Sequence, residues 1–243
     1  MLKLKAGTKY GKLPSNIQTH LTATASKEDK LTMLGFVVLF LNIICGGPLI
    51  ANGEKTFTLI ALPFMIGINI WTVIVMFLKP SYRNSLHFTL YKGGAGAVLS
   101  FCYFVLSQKY AFSELGFNLL FFMTSLLACI IVILGFIRYY LIIFPNFKRK
   151  KTSGPALGTY LLTAGPGLGY MIAQFIFRFS ESIVSLFMSY IYLFLACFFT
   201  YFGVKFTHQY FFIRANQDII ARYLRRSSLP TGSSRCLTAK SKK

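Results

Sequence analysis

Residues 115–137 read LGFNLLFFMTSLLACIIVILGFI and contain no Asp, Glu, Lys or Arg. A helix that crosses the hydrocarbon core of a bilayer needs about 20 consecutive apolar residues. This run has 23 residues, so it is long enough to cross the core once. A soluble fold would interrupt a helix of this length with a polar face. The run therefore predicts a transmembrane helix.

Five other stretches also lack charged residues, and four of them are at least as long. They cover 31–53, 56–78, 93–108, 152–177 and 182–204. The stretch at 93–108 has only 16 residues. Its helix spans the bilayer only if Tyr91 and neighbouring interfacial residues, or a locally thinner bilayer, supply the missing turn. We therefore predict six transmembrane helices, at about 31–53, 56–78, 91–108, 115–137, 155–177 and 182–204.

The composition of the whole chain agrees with this class. Of its 243 residues, 55% are hydrophobic and 13% are charged, whereas a soluble domain usually carries about a quarter charged residues. The net charge of +20 does not indicate nucleic-acid binding. The basic residues lie between and beyond the apolar runs, where they orient a membrane protein.

The distribution of these basic residues predicts the orientation. With the N-terminus inside and six helices, 23 of the 26 Lys and Arg residues face the cytoplasm, and only Lys55, Lys109 and Arg178 lie outside. Such a bias is the main orientation signal of multi-span proteins. Each outer loop also holds one acidic residue, such as Glu114 after Lys109, which predicts small neutral loops. The predicted fold is an all-α polytopic membrane protein with both termini inside (N-in/C-in).

Segments outside the six-helix domain, 31–205, are predicted from composition and periodicity. Residues 1–30 lack hydrophobic periodicity and are predicted to form a disordered basic cytoplasmic arm. Residues 206–226 predict an amphipathic juxtamembrane helix. Residues 227–243 are rich in Ser, Gly, Thr, Pro and Lys and are predicted to form a disordered basic tail.

The segment 206–226 is predicted to lie in the cytoplasmic interface of the membrane. Its apolar face would enter the bilayer, and its arginines would lie near anionic lipid phosphates. Interfacial packing without a lipid-specific role is the alternative. The apolar face consists of Phe212, Ile213, Ile219, Ile220, Tyr223 and Leu224. The candidate contacts to anionic lipids are Arg214, Arg222, Arg225 and Arg226.

The predicted fifth helix contains an unusual arrangement of glycine and proline. Pro166 lacks an N–H and clashes with the preceding turn, so this helix should kink or break in mid-membrane. Pairs of glycines four residues apart let helices approach closely, and the small residues at 93–97 are predicted to pack against them. The candidate break and packing site consists of Gly154, Gly158, Gly165, Pro166 and Gly169.

No Asp, Glu, Lys, Arg or His lies within the six charge-free runs, although such residues usually mark functional sites in membranes. His20, His87 and His208 are far apart in the sequence and share no helix face. The five cysteines have neither metal-ligand nor redox spacing. We therefore predict no enzymatic activity, no metal and no cofactor. The mildly polar residues within the spans are predicted to form hydrogen bonds between helices, with a polar substrate path as the alternative. They are Asn42, Asn69, Asn118, Thr124 and Gln174.

These observations favour a non-enzymatic multi-pass protein that recognises or scaffolds a membrane partner, as immunity, assembly or organelle-shaping proteins do. The alternative is a small transporter, or the membrane subunit of a transport complex, with its site at the broken fifth helix. The expected partners are the bilayer, anionic lipids at its cytoplasmic face, and a membrane protein or a second copy of the chain. The expected location is a bacterial cell membrane or a eukaryotic ER or endomembrane.

Overall fold

A computed structural model describes residues 4, 13, 15–21, 26–51, 54–79, 82–144, 174, 176 and 178–219 of the chain. These residues are helical, with no strand among them. The helices are α1 (Ser15–Leu21), α2 (Lys27–Ala51), α3 (Lys55–Phe77), α4 (Tyr82–Leu115), α5 (Leu119–Arg138, continued by a π-helical turn, Tyr139–Ile143) and α6 (Glu181–Ala215).

Five of these helices, α2 to α6, are long and apolar enough to cross a membrane. The predicted all-α class is therefore confirmed, and the apolar helices support the predicted membrane class. The first, second, fourth and sixth predicted spans overlap α2, α3, α5 and α6. The fifth predicted span, 155–177, lies almost entirely outside the described residues.

The N-terminal region, where a disordered arm was predicted, contains helix α1 and the first turn of α2. In the first turn of α2 the Ser26 side chain accepts from the Asp29 N–H, and the Asp29 carboxylate accepts from the Ser26 N–H. Such a reciprocal capping box satisfies N–H groups that the helix itself leaves unpaired. Lys30 is buried, and its Nζ donates to the carbonyl of Leu78 after the end of α3.

The third span is much longer than the predicted 91–108. Helix α4 has 34 residues and includes lysines that we had placed at its ends. Lys92 stays in the helix with its Nζ 4.4 Å from the centre of the Phe88 ring, a favourable cation–π distance. Lys109, predicted to lie in an outer loop, is a buried residue of α4.

Lys109 closes the end of another helix. Its Nζ donates to the carbonyl oxygens of Pro48 and Leu49, at 3.0 and 2.8 Å. The last carbonyls of a helix have no partner within that helix, and a cation at this end also opposes the negative pole of the helix dipole. The charge is thus part of the packing between α2 and α4.

Helices α4 and α6 meet along a seam of small residues. A Cβ added to Gly96 would lie 2.5 Å from the backbone nitrogen of Gly203, and one added to Gly93 would lie 2.9 Å from that of Thr207. Only glycine permits backbones this close. We had predicted that the small residues at 93–97 pack against the fifth span; in the described residues Gly93 and Gly96 pack against α6, and Gly94 packs against Trp71 of α3.

Hydrogen bonds between side chains join the remaining core helices. Asn42 on α2 and Asn69 on α3 exchange two hydrogen bonds of 2.9 Å, so the interhelical bond predicted for these two residues is confirmed. The same prediction was wrong for Asn118 and Thr124, whose side chains bond to the backbone of α5 itself. Tyr103 on α4 donates to the carbonyl of Phe40 on α2, at 2.9 Å. Phe40 lies in a ten-residue π-helical stretch of α2, Val37–Gly46.

The contacts along each helix pair give the helix directions. On α4 and α6, Gly93 lies at Thr207 and Ser107 lies at Ser189, so these helices are antiparallel. On α5 and α6, Phe121 contacts Tyr190 at one end, and Tyr140 contacts His208 at the other.

Helices α5 and α6 are consecutive among the described helices, yet these contacts make them parallel. Below, the α1 end denotes the end of the helices that holds Tyr140, His208 and α1, and the far end holds Phe121 and Tyr190. The chain leaves α5 at the α1 end and enters α6 at the far end.

Helix α6 continues without a break past residue 206, where a separate juxtamembrane helix was predicted to begin. It ends at Ala215, with Asn216 as the C-cap residue. Phe212 and Ile213, assigned to a membrane-facing surface, are buried against protein. Arg214 in the last turn is exposed.

Candidate functional site

Most of the predicted site residues fall outside the described part of the chain. This holds for the glycine and proline positions 154, 158, 165, 166 and 169 and for Arg222, Arg225 and Arg226. Arg214 is described and exposed. Its contact with anionic lipids stays a prediction.

A different feature, a lateral groove between α4, α5 and α6, stands out in the described residues. It has a volume of about 580 Å³. Such a volume lies in the range of small-molecule sites, about 300–1,000 Å³. We call it the lateral groove. It is lined by Ala97, Ser100, Phe101 and Phe104 of α4, by Leu126, Cys129, Ile133, Ile137, Tyr140 and Leu141 of α5, and by Thr200, Gly203, Val204, Thr207, His208 and Phe211 of α6.

The lining of the lateral groove becomes more polar from the far end to the α1 end. Phe104 and Leu126 line it toward the far end, and Tyr140, Thr207 and His208 line it at the α1 end. Its middle holds two further hydroxyls, on Ser100 and Thr200, but these bond to each other at 2.7 Å. The polar atoms that could bind a ligand are therefore concentrated at the α1 end.

His208 is the polar group that the described structure leaves unsatisfied. It is 7% exposed, and its Nε2 is the one buried side-chain nitrogen or oxygen without a hydrogen-bond partner among the described residues. Its other nitrogen, Nδ1, lies 3.2 Å from Nε2 of His20. An unsatisfied buried polar atom costs about 1–3 kcal/mol, so a native structure that holds one calls for an explanation.

Helix α1 brings His20 to this position. Its Ile17 and Leu21 pack with Leu13 against Phe212 and Ile213 near the end of α6. The carbonyl of His20 accepts from Gln209 Nε2 at 3.0 Å. These contacts hold His20 against His208 at the mouth of the lateral groove.

Burial is the main influence on the ionisation of His20. It lowers the pKa of His20 from 6.5 to about 3, with further contributions from the adjacent His208 and from Lys205. An imidazole in low-dielectric surroundings is favoured in its neutral form. At neutral pH His20 therefore takes part in the pair as an uncharged donor or acceptor.

Sequence reasoning missed this pair because its members are 188 residues apart. The local signal lay in the arm, where Leu13, Ile17, His20 and Leu21 recur at three- and four-residue spacing. This spacing is typical of one helix face, but the segment is too short to form a stable helix without tertiary contacts.

The fold also pairs cysteines that are scattered in the sequence. Cys45 lies beside Cys102, and Cys129 beside Cys197, each pair within hydrogen-bonding reach. All four are free thiols. Across the described ranges, no group of three or more His, Cys, Asp or Glu residues is placed to hold a metal ion.

Comparisons of the chain with protein-family models, with curated proteins and with solved structures found no match. The lateral groove and its histidine pair are therefore the features of the described residues that indicate a function.

Proposed function

We propose that the chain crosses the membrane six times with both termini in the cytoplasm. The parallel arrangement of α5 and α6 supports this topology independently of the charge count. The chain leaves α5 near Tyr140 and enters α6 at the level of Phe121. It must therefore cross most of the membrane again before α6 begins. The uncharged run 152–177, at about 1.5 Å per residue, gives about 39 Å of helix, which is enough for that crossing.

Topology reporters test this arrangement. Reporters inserted after Lys79 and Lys151 should report cytoplasm, and reporters after Gly116 and Arg178 should report the outside. The decisive comparison is between Lys151 and Arg178, because these positions flank the proposed fifth span. The same compartment at both positions would remove that span.

We further propose that the protein is a non-enzymatic membrane protein that recognises a membrane-embedded partner through the lateral groove. One observation carries this proposal: three helices form a groove of about 580 Å³ whose surface is mostly apolar. Such concave apolar sites with a few polar groups are the usual form of a binding site. The alternative function, transport at a broken fifth helix, depends on residues outside the described part and stays a prediction.

A matched pair of substitutions on α5 tests recognition by the groove. Ile133 lines the groove, whereas the adjacent Leu134 does not and is 59% exposed. Affinity purification in mild detergent, with mass spectrometry of co-purifying proteins and lipids, compares Ile133→Trp with Leu134→Trp. A partner retained by wild type and Leu134→Trp and lost from Ile133→Trp is the expected result. A partner set unchanged by Ile133→Trp would refute recognition through the groove.

A further inference from the structure

We propose that the lateral groove binds a long-chain amphiphile with an oxygen-bearing head, the head at His208 and the chain directed toward Leu126. This inference rests on the proposed recognition function and names the class of ligand that the groove takes. Three observations carry it: the dimensions of the groove, the polarity of its two ends, and the unsatisfied nitrogen at one of them.

The dimensions of the groove suit an extended hydrocarbon chain. Leu126 and Leu141 mark the groove's length on α5, and their separation corresponds to about 22 Å along the helix. The volume of about 580 Å³ lies in the range of small-molecule sites.

The far end of the groove suits the chain. Phe104 and Leu126 offer aromatic and aliphatic contacts there. In mid-groove the hydroxyls of Ser100 and Thr200 satisfy each other, at 2.7 Å, so an apolar chain can pass them without leaving a polar group unpaired. The side of the groove formed by α5 is open toward lipid, since Ile133 is 37% exposed.

The α1 end suits the head. If His20 Nε2 donates to His208 Nδ1, then His208 Nε2 carries a proton and needs an acceptor; in the other tautomer it needs a donor. A carboxylate satisfies the first case, and a hydroxyl satisfies either. Lys205 adds positive charge near this end, with its Nζ 5.4 Å from the Tyr201 ring. An anionic head is therefore favoured over a neutral one.

The test uses the full-length protein in detergent and three photoactivatable probes of equal chain length: a fatty acid, a fatty alcohol and a headless alkane. With the diazirine at the chain terminus, labelled peptides should contain Phe104 or Leu126. With the diazirine beside the carboxylate, they should contain Tyr140 or His208. Labelling by the fatty acid should exceed labelling by the alkane, and Ile133→Trp should remove it while Leu134→Trp retains it.

Substitutions at His208 test the head contact. His208→Phe should lower fatty-acid labelling of the groove about tenfold, because a hydrogen bond to a charged group contributes about 1.5–3 kcal/mol. Labelling by the alkane should stay unchanged, which controls for misfolding. His208→Gln keeps an amide near the head and should recover part of the loss. Equal labelling by all three probes, or an unchanged ratio in His208→Phe, would overturn the proposal.

Failure of this inference is distinguishable from failure of the proposed function. If Ile133→Trp displaces a protein partner while the fatty acid labels only outward-facing residues, recognition stands and the amphiphile does not. One outcome is that cysteines introduced at Leu126 and within residues 152–177 of the same chain crosslink in lipid-free detergent, and that no probe labels the groove. The chain then fills its own groove. Both proposals then fail.

Discussion

Helices α4 and α5 are consecutive in the chain, but they are opposite extremes in apolarity and in burial. Of the five candidate spans, α4 is the least apolar and the most buried, with 56% of its most apolar stretch buried in protein. Helix α5 is the most apolar and the least buried, with 6%. In a soluble protein the most apolar helix would occupy the core. Here lipid is as apolar as leucine, so hydrophobicity does not drive helices together.

The difference shows what holds the core of this protein together. Helix α4 contributes glycines that allow close approach, hydroxyls that bond across to α6, and a lysine that caps α2. Helix α5 contributes large side chains, such as Leu127, Ile131 and Leu134, each more than half exposed. Small and mildly polar residues thus mark the buried helix, and large aliphatic residues mark the exposed one.

The largest expected effect comes from glycine. Gly96→Ala places a Cβ 2.5 Å from the backbone nitrogen of Gly203, and backbone does not yield as a flexible side chain does. We expect a loss of about 3 kcal/mol or more, measured as a lower melting temperature in detergent. Gly135→Ala on α5 is the matched control, because a Cβ there meets no atom within 4 Å. Equal melting of the two variants would contradict the contrast between the helices.

A smaller effect is expected at Lys109. Lys109→Met keeps the length of the side chain and removes both hydrogen bonds to the end of α2. Hydrogen bonds of charged groups contribute about 1.5–3 kcal/mol, so we expect about 2 kcal/mol of destabilisation in the same melting assay. Lys55→Met is the control, since Lys55 is exposed at the start of α3. If Lys109→Met melts like the control, Lys109 does not stabilise the core.

The sequence predicted the class of the fold because membrane crossing depends on the length of apolar runs, which is a local property. It failed at α4 because charge alone was taken to end a span, whereas Lys92 and Lys109 remain in the helix through contacts with other elements. The same reason hid the histidine pair. Its partners meet only after α1 has packed on α6, a long-range event that no spacing within either segment specifies.

Acidification should loosen α1 from α6. Docking lowers the pKa of His20 to about 3 through burial, His208 and Lys205, whereas undocked His20 titrates near its ordinary 6.5. The docked form is therefore fully favoured above pH 6.5, and the docking equilibrium weakens by up to about tenfold for each pH unit below that value.

A spin label at Gln18→Cys, in a cysteine-free background, measures this loosening. Its mobility should rise as the pH falls from 7 to 5. His20→Phe keeps a ring among Tyr140, Phe144 and Phe212 but removes the titrating group, so the increase should shrink. A pH response of the same size in His20→Phe would exclude His20 as its source.

The smallest expected effect concerns the hydroxyls of the seam. Ser189 donates to the carbonyl of Ser107 at 2.8 Å, and the two hydroxyl oxygens lie 3.2 Å apart. Hydrogen bonds between membrane helices average about 0.6 kcal/mol. In a double-mutant cycle, Ser107→Ala and Ser189→Ala should show a coupling energy of about that size, because each single change removes the same hydroxyl contact.

Thr124 on α5 supplies the matched control for that cycle. Its hydroxyl bonds to the carbonyl of Leu120 in its own helix and is exposed. Thr124→Ala should therefore leave the melting temperature nearly unchanged and show no coupling with Ser189→Ala. Coupling as large as that of the Ser107–Ser189 pair would contradict the bond of Thr124 within its own helix. Absence of coupling in both cycles would mean that the hydroxyls of Ser107 and Ser189 do not stabilise each other.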